Sequence, residues 1–257
     1  MFHPFDSAKA LYNRAVEHLI ELRSIEQRWL QNNAEGPFVE PDDKIRYDTV
    51  RFRFKTGIPI EYSVVLFEII QCLRSSLDHA TFDASRVLGG KPKPKSTKFP
   101  FGKTKRAAEA DLPRKRAEVP DSIRPFLLSF RPYQRGNRTL WGLNEIRNTK
   151  IHQHLRVMST CSNGVGLEHA IGEYVELHTV SVWDRRKNEL TALRIRCSPD
   201  TKLNLNFSPY ISFDNNGVFP RKAVLLKLQE LFEVTGRILD GIEGETARIK
   251  NTSNSGT

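Results

Sequence analysis

The stretch TVRFRFKTG, residues 49 to 57, sets the fold class because the period of the hydrophobic pattern changes there. Apolar and cationic residues alternate along it, in the order Val50, Arg51, Phe52, Arg53, Phe54 and Lys55. A period of two places the apolar side chains on one face and the cations on the other. The stretch therefore predicts a half-buried β-strand that ends at Gly57.

Helical patterns lie on both sides of this strand. Residues 7 to 31 repeat apolar side chains every three or four positions, and a second such pattern runs from about Pro59 to Val87 or Leu88. This spacing predicts two long amphipathic helices. Further helical patterns cover residues 104 to 118, 121 to 130, 139 to 154, and Pro220 or Arg221 to about Arg248.

The part of the chain before the last helix has strand patterns separated by turn signals. These patterns cover residues 156 to 161, 173 to 183, 190 to 198 and 202 to 213. The order of elements predicts an α+β fold, a helical bundle of long antiparallel helices with an inserted antiparallel β-sheet. We expect a single domain over residues 1 to 249, with strand additions at about 45 to 56 and 156 to 213, and a disordered tail over 250 to 257.

The positive charge is concentrated in one segment. Residues 91 to 138 hold 14 Lys and Arg against 4 Asp and Glu, a balance of +10 that equals the net charge of the whole chain. Such a segment attracts polyanions, so RNA or DNA is the first partner to consider, although a solvated loop has the same composition. The candidate nucleic-acid-binding residues are Lys91, Lys93, Lys95, Lys98, Lys103, Lys105, Arg106, Arg114, Lys115 and Arg116.

Other features narrow the class of protein. The three cysteines are far apart and none forms a zinc-type or redox-type pair, which favours reduced thiols. No apolar run is long enough for a membrane span, and the N-terminal residues do not resemble a signal peptide. We expect a cytoplasmic protein without membrane contact, metal or cofactor.

The stretch RNTKIH, residues 147 to 152, places polar groups within a predicted helix. Residues four apart on a helix lie about 40° apart in projection, and residues five apart lie about 140° apart. Asn148 and His152 therefore share a face, whereas Arg147 leaves from the flank. The three side chains meet only in a cleft made with another helix or with a second copy of the chain.

These residue types suit the cleavage of RNA by its own 2′-hydroxyl. His152 titrates near neutral pH and can act as acid or base. Arg147 offers forked donors to phosphate oxygens, and Asn148 can orient the scissile group. The structural alternative is that Arg147 pairs with a carboxylate on a neighbouring helix and His152 is an interface histidine.

The segment RSSLDH, residues 74 to 79, supplies the supporting candidates Arg74, Asp78 and His79. Arg74 and Asp78 are four residues apart, which allows an ion pair on the bundle surface. In the functional alternative, Asp78 or His79 faces the helix of His152, where it orients the imidazole or binds substrate.

The Arg-Asn-x-x-x-His pattern of residues 147 to 152, on a late helix of a bundle, resembles the signature of the HEPN superfamily. Active members of that superfamily are dimeric, metal-independent endoribonucleases, many of them in bacterial toxin and phage-defence systems. The resemblance implies that Arg147 and His152 are the catalytic pair, with Asn148 in the polar position after the arginine. It also implies a homodimer, RNA as substrate, and a neutralising protein partner or antitoxin as a further candidate.

Three ordered segments resemble a group of uncharacterised bacterial proteins. They are CLRSSLDHA at residues 72 to 80, KFPF at 98 to 101 and LNEIRNTKIHQHL at 143 to 155. That group usually has Asn-x-x-Lys-His-Arg in the last segment, whereas this chain has Ile151 and Gln153 around the histidine. The resemblance of residues 147 to 152 to the HEPN signature thus predicts an endoribonuclease. The alternative is a non-catalytic module that binds nucleic acid or a protein.

Overall fold

The structure is a computed structural model of the chain, and it describes most of the sequence. The described residues are 3–42, 47–112, 118–150, 157–161, 166–171, 175–197, 202–206, 209–214 and 218–254. They form six helices and eight strands, and every strand pairing is antiparallel. The predicted α+β class is confirmed.

Among the described residues, three helices are long and three are shorter. The long ones are α1 (Asp6–Asn33), α2 (Ile60–Val87) and α6 (Val224–Asn254). The shorter ones are α3 (Lys105–Asp111), α4 (Arg124–Ser129) and α5 (Arg138–Lys150).

The strands form three separate antiparallel sheets among the described residues. They are β1 (Ala34–Asp42), β2 (Tyr47–Phe54), β3 (Val157–Cys161), β4 (Gly166–Ile171), β5 (Val175–Asp184), β6 (Glu189–Cys197), β7 (Lys202–Asn206) and β8 (Pro209–Phe213). The largest sheet has the order β1-β2-β6-β5, and the other two pair β3 with β8 and β4 with β7.

The chain divides into two compact units, each built from segments that are distant in sequence. Unit 1 contains residues 1–21, 64–155 and 226–257, and unit 2 contains residues 22–63 and 156–225. Unit 1 includes α3, α4 and α5, and unit 2 includes all eight strands. The single domain over residues 1 to 249 stays a prediction.

Unit 1 is built on the apolar stripe of α2. The buried members of that stripe are Leu66, Ile69, Ile70, Leu73, Leu77, Ala80 and Ala84, at the spacing expected of an amphipathic helix. Contacts between α1 and α2 run in opposite chain directions: Ser7 meets His79 at 3.1 Å, and His18 Nδ1 lies 3.7 Å from Glu68 Oε2. The predicted antiparallel arrangement is therefore observed for this pair of helices.

Unit 2 confirms the alternation that predicted β2. Val50, Phe52 and Phe54 are buried on one face, and the Phe54 ring stacks on Trp29 with their centroids 4.7 Å apart. Arg51 on the other face lies 3.1 Å from Glu189 of β6 and 3.2 Å from Glu40 of β1. The cationic face of β2 is thus neutralised by carboxylates on the two neighbouring strands.

The strand predictions were incomplete. β1 was missed because Pro37 and Pro41 are typical of loops, yet β1 is an edge strand, where proline is tolerated. β4 was also missed, and the predicted strand over 202 to 213 is two strands, β7 and β8, that pair with different partners. The predicted antiparallel sheet is present, and in it β1 and β2 pair with the much later strands β6 and β5 in the order β1-β2-β6-β5.

Helix ends differ from the predictions by several residues. α3 ends at Asp111 rather than at residue 118, and α4 begins at Arg124 rather than at 121. α6 continues to Asn254, so residues 250 to 254 of the predicted disordered tail are helical. Polar side chains there donate hydrogen bonds to backbone carbonyls of the same helix. Thr252 Oγ1, for example, donates to the carbonyl oxygen of Arg248 at 3.0 Å.

None of the helices in the described ranges is both long and apolar enough to cross a membrane.

Candidate functional site

The candidate catalytic residues belong to α5, and the local sequence explains how α5 is placed in unit 1. Asn137 caps the helix, because its Oδ1 accepts a hydrogen bond from the backbone N–H of Leu140 at 3.0 Å. Leu140 and Ile146 are buried and face the core of unit 1. Arg147 comes directly after Ile146, so it leaves from the edge of the buried stripe and is half-buried, whereas Asn148 is exposed.

The guanidinium of Arg147 is held by two neutral acceptors. Its Nε donates to Gln71 Oε1 of α2 at 3.1 Å, and its Nη1 donates to Asn148 Oδ1 at 3.3 Å. Among the described residues, no carboxylate forms an ion pair with Arg147. Its positive charge is therefore oriented by the protein without being neutralised, which leaves it able to attract an external anion.

The catalytic role of the predicted group stays a prediction. Of its members, Arg147 and Asn148 are joined by a hydrogen bond. His152 lies outside the described residues, so its place beside them stays a prediction. The predicted ion pair between Arg147 and a carboxylate is replaced, within the described residues, by the two amide contacts.

Arg74 forms a second link between α2 and α5. It is buried, with 6% of its surface exposed, and it forms an ion pair with Asp78. Its Nε donates to Asn144 Oδ1 of α5 at 3.0 Å, and its guanidinium lies 4.3 Å from the centroid of the Phe101 ring. The predicted ion pair is therefore present, and the arginine also connects α2, α5 and the Phe101 loop.

The carboxylate of Asp78 makes two contacts that stabilise the fold. Besides its ion pair with Arg74, its Oδ1 accepts a hydrogen bond from the backbone N–H of Phe99 at 2.9 Å. This bond fixes the loop that begins the basic segment to the middle of α2. A role for Asp78 in orienting His152 stays a prediction.

His79 makes its described side-chain contact with α1 rather than with α5. Its Nδ1 lies 3.1 Å from Ser7 Oγ, and the two residues line a cavity of about 360 Å³ together with Asp78 and Lys98. The predicted contact between His79 and the helix of His152 is therefore absent from the described residues.

The candidate nucleic-acid-binding cations are exposed where the structure describes them. Seven of the ten predicted nucleic-acid-binding residues are exposed, namely Lys91, Lys93, Lys95, Lys98, Lys103, Lys105 and Arg106. The other three, Arg114, Lys115 and Arg116, lie outside the described residues. Lys93 forms an ion pair with Glu118 at 3.9 Å, and Lys105 forms one with Glu109 at 3.7 Å. Both lysine side chains are largely exposed to solvent, so these ion pairs are weak.

Aromatic residues near this segment divide into two groups. Phe99 is buried, and its ring packs against Phe101 and Phe130 with centroid distances of 5.1 and 6.4 Å. A buried ring cannot stack an unpaired base, so Phe99 anchors the loop to the core. Phe130 and Tyr133 are half-buried and remain open to ligand contact.

The thiol beside this site is not an activated nucleophile. Cys72 is half-buried on α2, and burial raises the pKa of its thiol, with Arg14 and Glu68 acting in opposite directions. The thiol is therefore protonated at neutral pH and reacts slowly. Within the described ranges, no group of three or more His, Cys, Asp or Glu side chains is arranged to hold a metal ion.

Two contributors to the site were missed from the sequence. Gln71 and Asn144 are neutral residues whose contacts appear only when α2 and α5 pack. Gln71 does have a detectable signal, because residues 71, 74, 75 and 78 repeat polar side chains at the three-and-four spacing of one helix face.

Comparisons with protein-family models, with curated proteins and with solved structures found no match for this chain.

Proposed function

We propose that the protein is a metal-independent endoribonuclease of the HEPN type that acts as a homodimer. The observation that supports this proposal is the state of Arg147, a half-buried guanidinium held by Gln71 and Asn148 without a described carboxylate partner. A permanently charged, preoriented fork is what a phosphodiester under attack requires. An arginine with a purely structural role in a helical bundle is more often paired with a carboxylate.

The proposed chemistry needs two proton transfers and one charge clamp. A base removes the proton of the ribose 2′-hydroxyl, and the 2′-oxygen attacks the adjacent phosphorus. The bond from phosphorus to the 5′-oxygen breaks, and an acid protonates that oxygen. The products are a 2′,3′-cyclic phosphate and a 5′-hydroxyl, with no net gain or loss of protons.

In this proposal His152 acts as the acid or the base, and Arg147 binds the phosphate as its charge grows. Asn148 hydrogen-bonds Arg147 and orients the scissile group. A second copy of the chain supplies the remaining proton-transfer group, because one helix does not bring two such groups to one phosphate.

The exposed cations of residues 91 to 106 support RNA as the substrate class. They raise the local concentration of a polyanion and accelerate its encounter with the protein, and the effect falls with salt. The resemblance to bacterial toxin and defence ribonucleases further suggests that activity is restrained by a protein partner or antitoxin.

The central experiment compares RNA cleavage by four purified proteins in the presence of a chelator. They are the wild type, His152→Ala, Arg147→Gln and a double control, His178→Ala with Arg14→Gln. His178 and Arg14 are exposed and pair with nearby glutamates, so they match the residue types without belonging to the site.

Loss of the acid or base should lower the rate of cleavage by about 10² to 10⁴-fold, and loss of one charge-stabilising donor by about 10² to 10³-fold. The control should cleave as the wild type does, and the products should end in cyclic phosphate. Equal cleavage by the wild type and His152→Ala, or no cleavage by either, contradicts the proposal. A monomer in sedimentation under cleaving conditions contradicts its dimeric part.

A second function, a non-catalytic binding or regulatory module, is favoured by a different observation. The bonds from Arg147 to Gln71 and from Arg74 to Asn144 both join α2 to α5, as structural links would. In that case Arg147→Gln lowers the thermal stability of the protein, and RNA is bound without being cut. Measuring binding and cleavage on the same RNA separates the two functions.

A further inference from the structure

A second cationic site lies in unit 1, at the opposite end of α5 from Arg147. It is a cavity of about 570 Å³ between the end of α4, the start of α5 and the middle of α6. Arg131, Arg138 and Arg237 line it, one from each of these places, together with Phe130 and Asn137. Three arginines from three separate segments converge on one concave surface.

The turn that supports two of these arginines has little conformational freedom. Arg131 has a left-handed φ of 53°, and its carbonyl accepts hydrogen bonds from the N–H groups of Tyr133 and Asn137, both at 2.8 Å. Gly136 closes the turn, where a Cβ would lie 2.4 Å from the carbonyl oxygen of Arg131. Asn137 then caps α5 directly before Arg138, so the backbone on this side of the cavity is fixed.

None of the three arginines forms an ion pair with a described carboxylate, and none of the described residues that line the cavity is acidic. Two carboxylates of α6 lie nearby and have other partners. Glu230 pairs with Lys227 and accepts from Thr139 of the cavity wall at 3.3 Å, and Glu233 accepts from Gln229 at 3.3 Å.

The arginines use neutral acceptors for the hydrogen bonds that they do make. Arg131 Nε donates to the Tyr133 hydroxyl at 3.4 Å, and Arg237 Nε donates to the backbone carbonyl of Glu233 at 3.3 Å. These bonds orient the guanidinium groups of Arg131 and Arg237 from the Nε side, whereas Arg138 is exposed and makes no hydrogen bond with a described residue. Preoriented arginine forks in a concave site recognise tetrahedral oxyanions, and phosphate is the commonest of these.

We propose that this arginine cavity binds a phosphate group of single-stranded RNA. The half-buried ring of Phe130 at its wall offers a face to the neighbouring base. Arg138 and Arg147 are nine residues apart on α5, which corresponds to about 14 Å along the helix. In projection the two residues lie about 180° apart, so the arginine cavity and the Arg147 group are separate sites on α5. The choice of RNA rests on the proposed function, whereas the phosphate site rests on the cavity alone.

The test measures binding by fluorescence anisotropy of a short single-stranded RNA whose 2′-hydroxyls are methylated. This strand cannot be cleaved, so the result is independent of whether the protein is a nuclease. The cavity variant combines Arg131→Asn, Arg138→Gln and Arg237→Gln, and asparagine is used at 131 because it tolerates a left-handed φ.

The matched control removes the same charge from exposed positions elsewhere, with Arg14→Gln, Arg28→Gln and Arg248→Gln. Circular dichroism and thermal unfolding check that both triple variants are folded. If the cavity triple is not folded, the single variant Arg138→Gln replaces it, because Arg138 is exposed and has no described hydrogen bond.

The cavity triple should weaken binding at least about ten-fold, since one charge-assisted hydrogen bond is worth that much. The slope of log affinity against log salt should fall by about 0.7 for each phosphate that the cavity holds. Equal weakening by the control triple, or no weakening by the cavity triple, overturns the proposal.

A parallel measurement distinguishes a terminal phosphate from a backbone phosphate. If the cavity holds the end of the strand, a 5′-phosphorylated RNA binds more tightly than its 5′-hydroxyl counterpart, and the cavity triple removes that difference. If the cavity holds a backbone phosphate, the two strands bind alike and the triple weakens both. Either pattern supports a phosphate site, and a failure of RNA cleavage by the wild type affects neither.

Discussion

The buried carboxyl group of Glu26 in unit 2 predicts how the free energy of unfolding changes with pH, and measuring that change tests the structure. Only 6% of its surface is exposed, and its carboxylate accepts two hydrogen bonds. The Tyr62 hydroxyl donates to Oε2 at 2.6 Å, and the backbone N–H of Ile211 donates to Oε1 at 3.1 Å. Glu26 therefore joins the end of α1, the start of α2 and strand β8 within this unit.

Burial raises the pKa of Glu26 above its ordinary value of 4.5, although the bonds from Tyr62 and Ile211 lower it in part. Below the ordinary value, the carboxyl is protonated in both the folded and the unfolded chain. As the pH rises from that value to the raised one, the unfolded chain loses its proton first. The folded state then binds more protons, so Glu26 lowers the free energy of unfolding as the pH rises through this window.

The substitution Glu26→Gln removes this titration and keeps a neutral group of similar shape in the same place. The amide oxygen can accept from the backbone N–H of Ile211 while the amide NH₂ donates to the Tyr62 hydroxyl, as a protonated carboxyl can. We therefore expect the free energies of unfolding of Glu26→Gln and the wild type to agree within about 1 kcal/mol at low pH. As the pH rises through the window, the wild type should lose stability relative to Glu26→Gln, because only the wild type titrates at this position.

The assay is urea unfolding of both proteins at a series of pH values from about 4 to about 8, with Tyr62→Phe as a third protein. Other carboxylates titrate alike in all three, so the difference between two profiles isolates residue 26. Tyr62→Phe removes a bond that lowers the pKa of Glu26, so the fall in stability should extend to higher pH. Parallel profiles for the wild type and Glu26→Gln would show that the carboxylate is not buried as described.

Two further substitutions test the placement of α5 in unit 1. Arg74→Ala removes the ion pair with Asp78 and the bond to Asn144, so it should lower the free energy of unfolding by about 3 to 5 kcal/mol, whereas the exposed control Arg14→Ala should change it by about 0.5 kcal/mol or less. An unchanged urea midpoint for Arg74→Ala would mean that apolar packing alone holds α5. Asn137→Ala removes the helix cap and should cost about 1 kcal/mol, while Asn137→Asp keeps the acceptor; equal losses for the two would contradict the cap.

Much of the helical structure was predictable because helices are encoded locally. The stripe from Leu66 to Ala84 has the three-and-four spacing of one helix face, and all its predicted members are buried. The alternation in β2 likewise predicted which of its side chains are buried. In both elements, the side-chain period follows from the backbone geometry of consecutive residues.

The sheets were less predictable because strand pairing is not local. β2 pairs with β6, and Val50 of β2 lies opposite Leu193 of β6. The short-range pattern of either strand does not predict which strand is its partner. β1 was hidden by its prolines. β7 and β8 were predicted as one strand because Phe207, which lies between them in the sequence, continues the alternation of Leu203 and Leu205. Partner choice and strand order depend on packing between distant segments.

The candidate site shows the same division between local and distant information. Spacing on α5 predicted that Asn148 and His152 share a helix face with Arg147 on the flank, and the composition located the excess of positive charge. Both follow from the order of residues along one segment. The contact between Arg147 and Gln71 joins residues 76 positions apart, and no local pattern encodes it.

Whether each arginine is paired with a carboxylate therefore depends on tertiary packing. Arg51 is neutralised by neighbouring strands, Arg74 is buried in an ion pair, and Arg147 is held by amides with its charge available. One residue type thus has three electrostatic states in the same chain. The linear sequence specifies the helices and the sites of charge through its short-range periodicity. Folding assigns each charge its partners, because those partners come from segments that meet only when the elements pack.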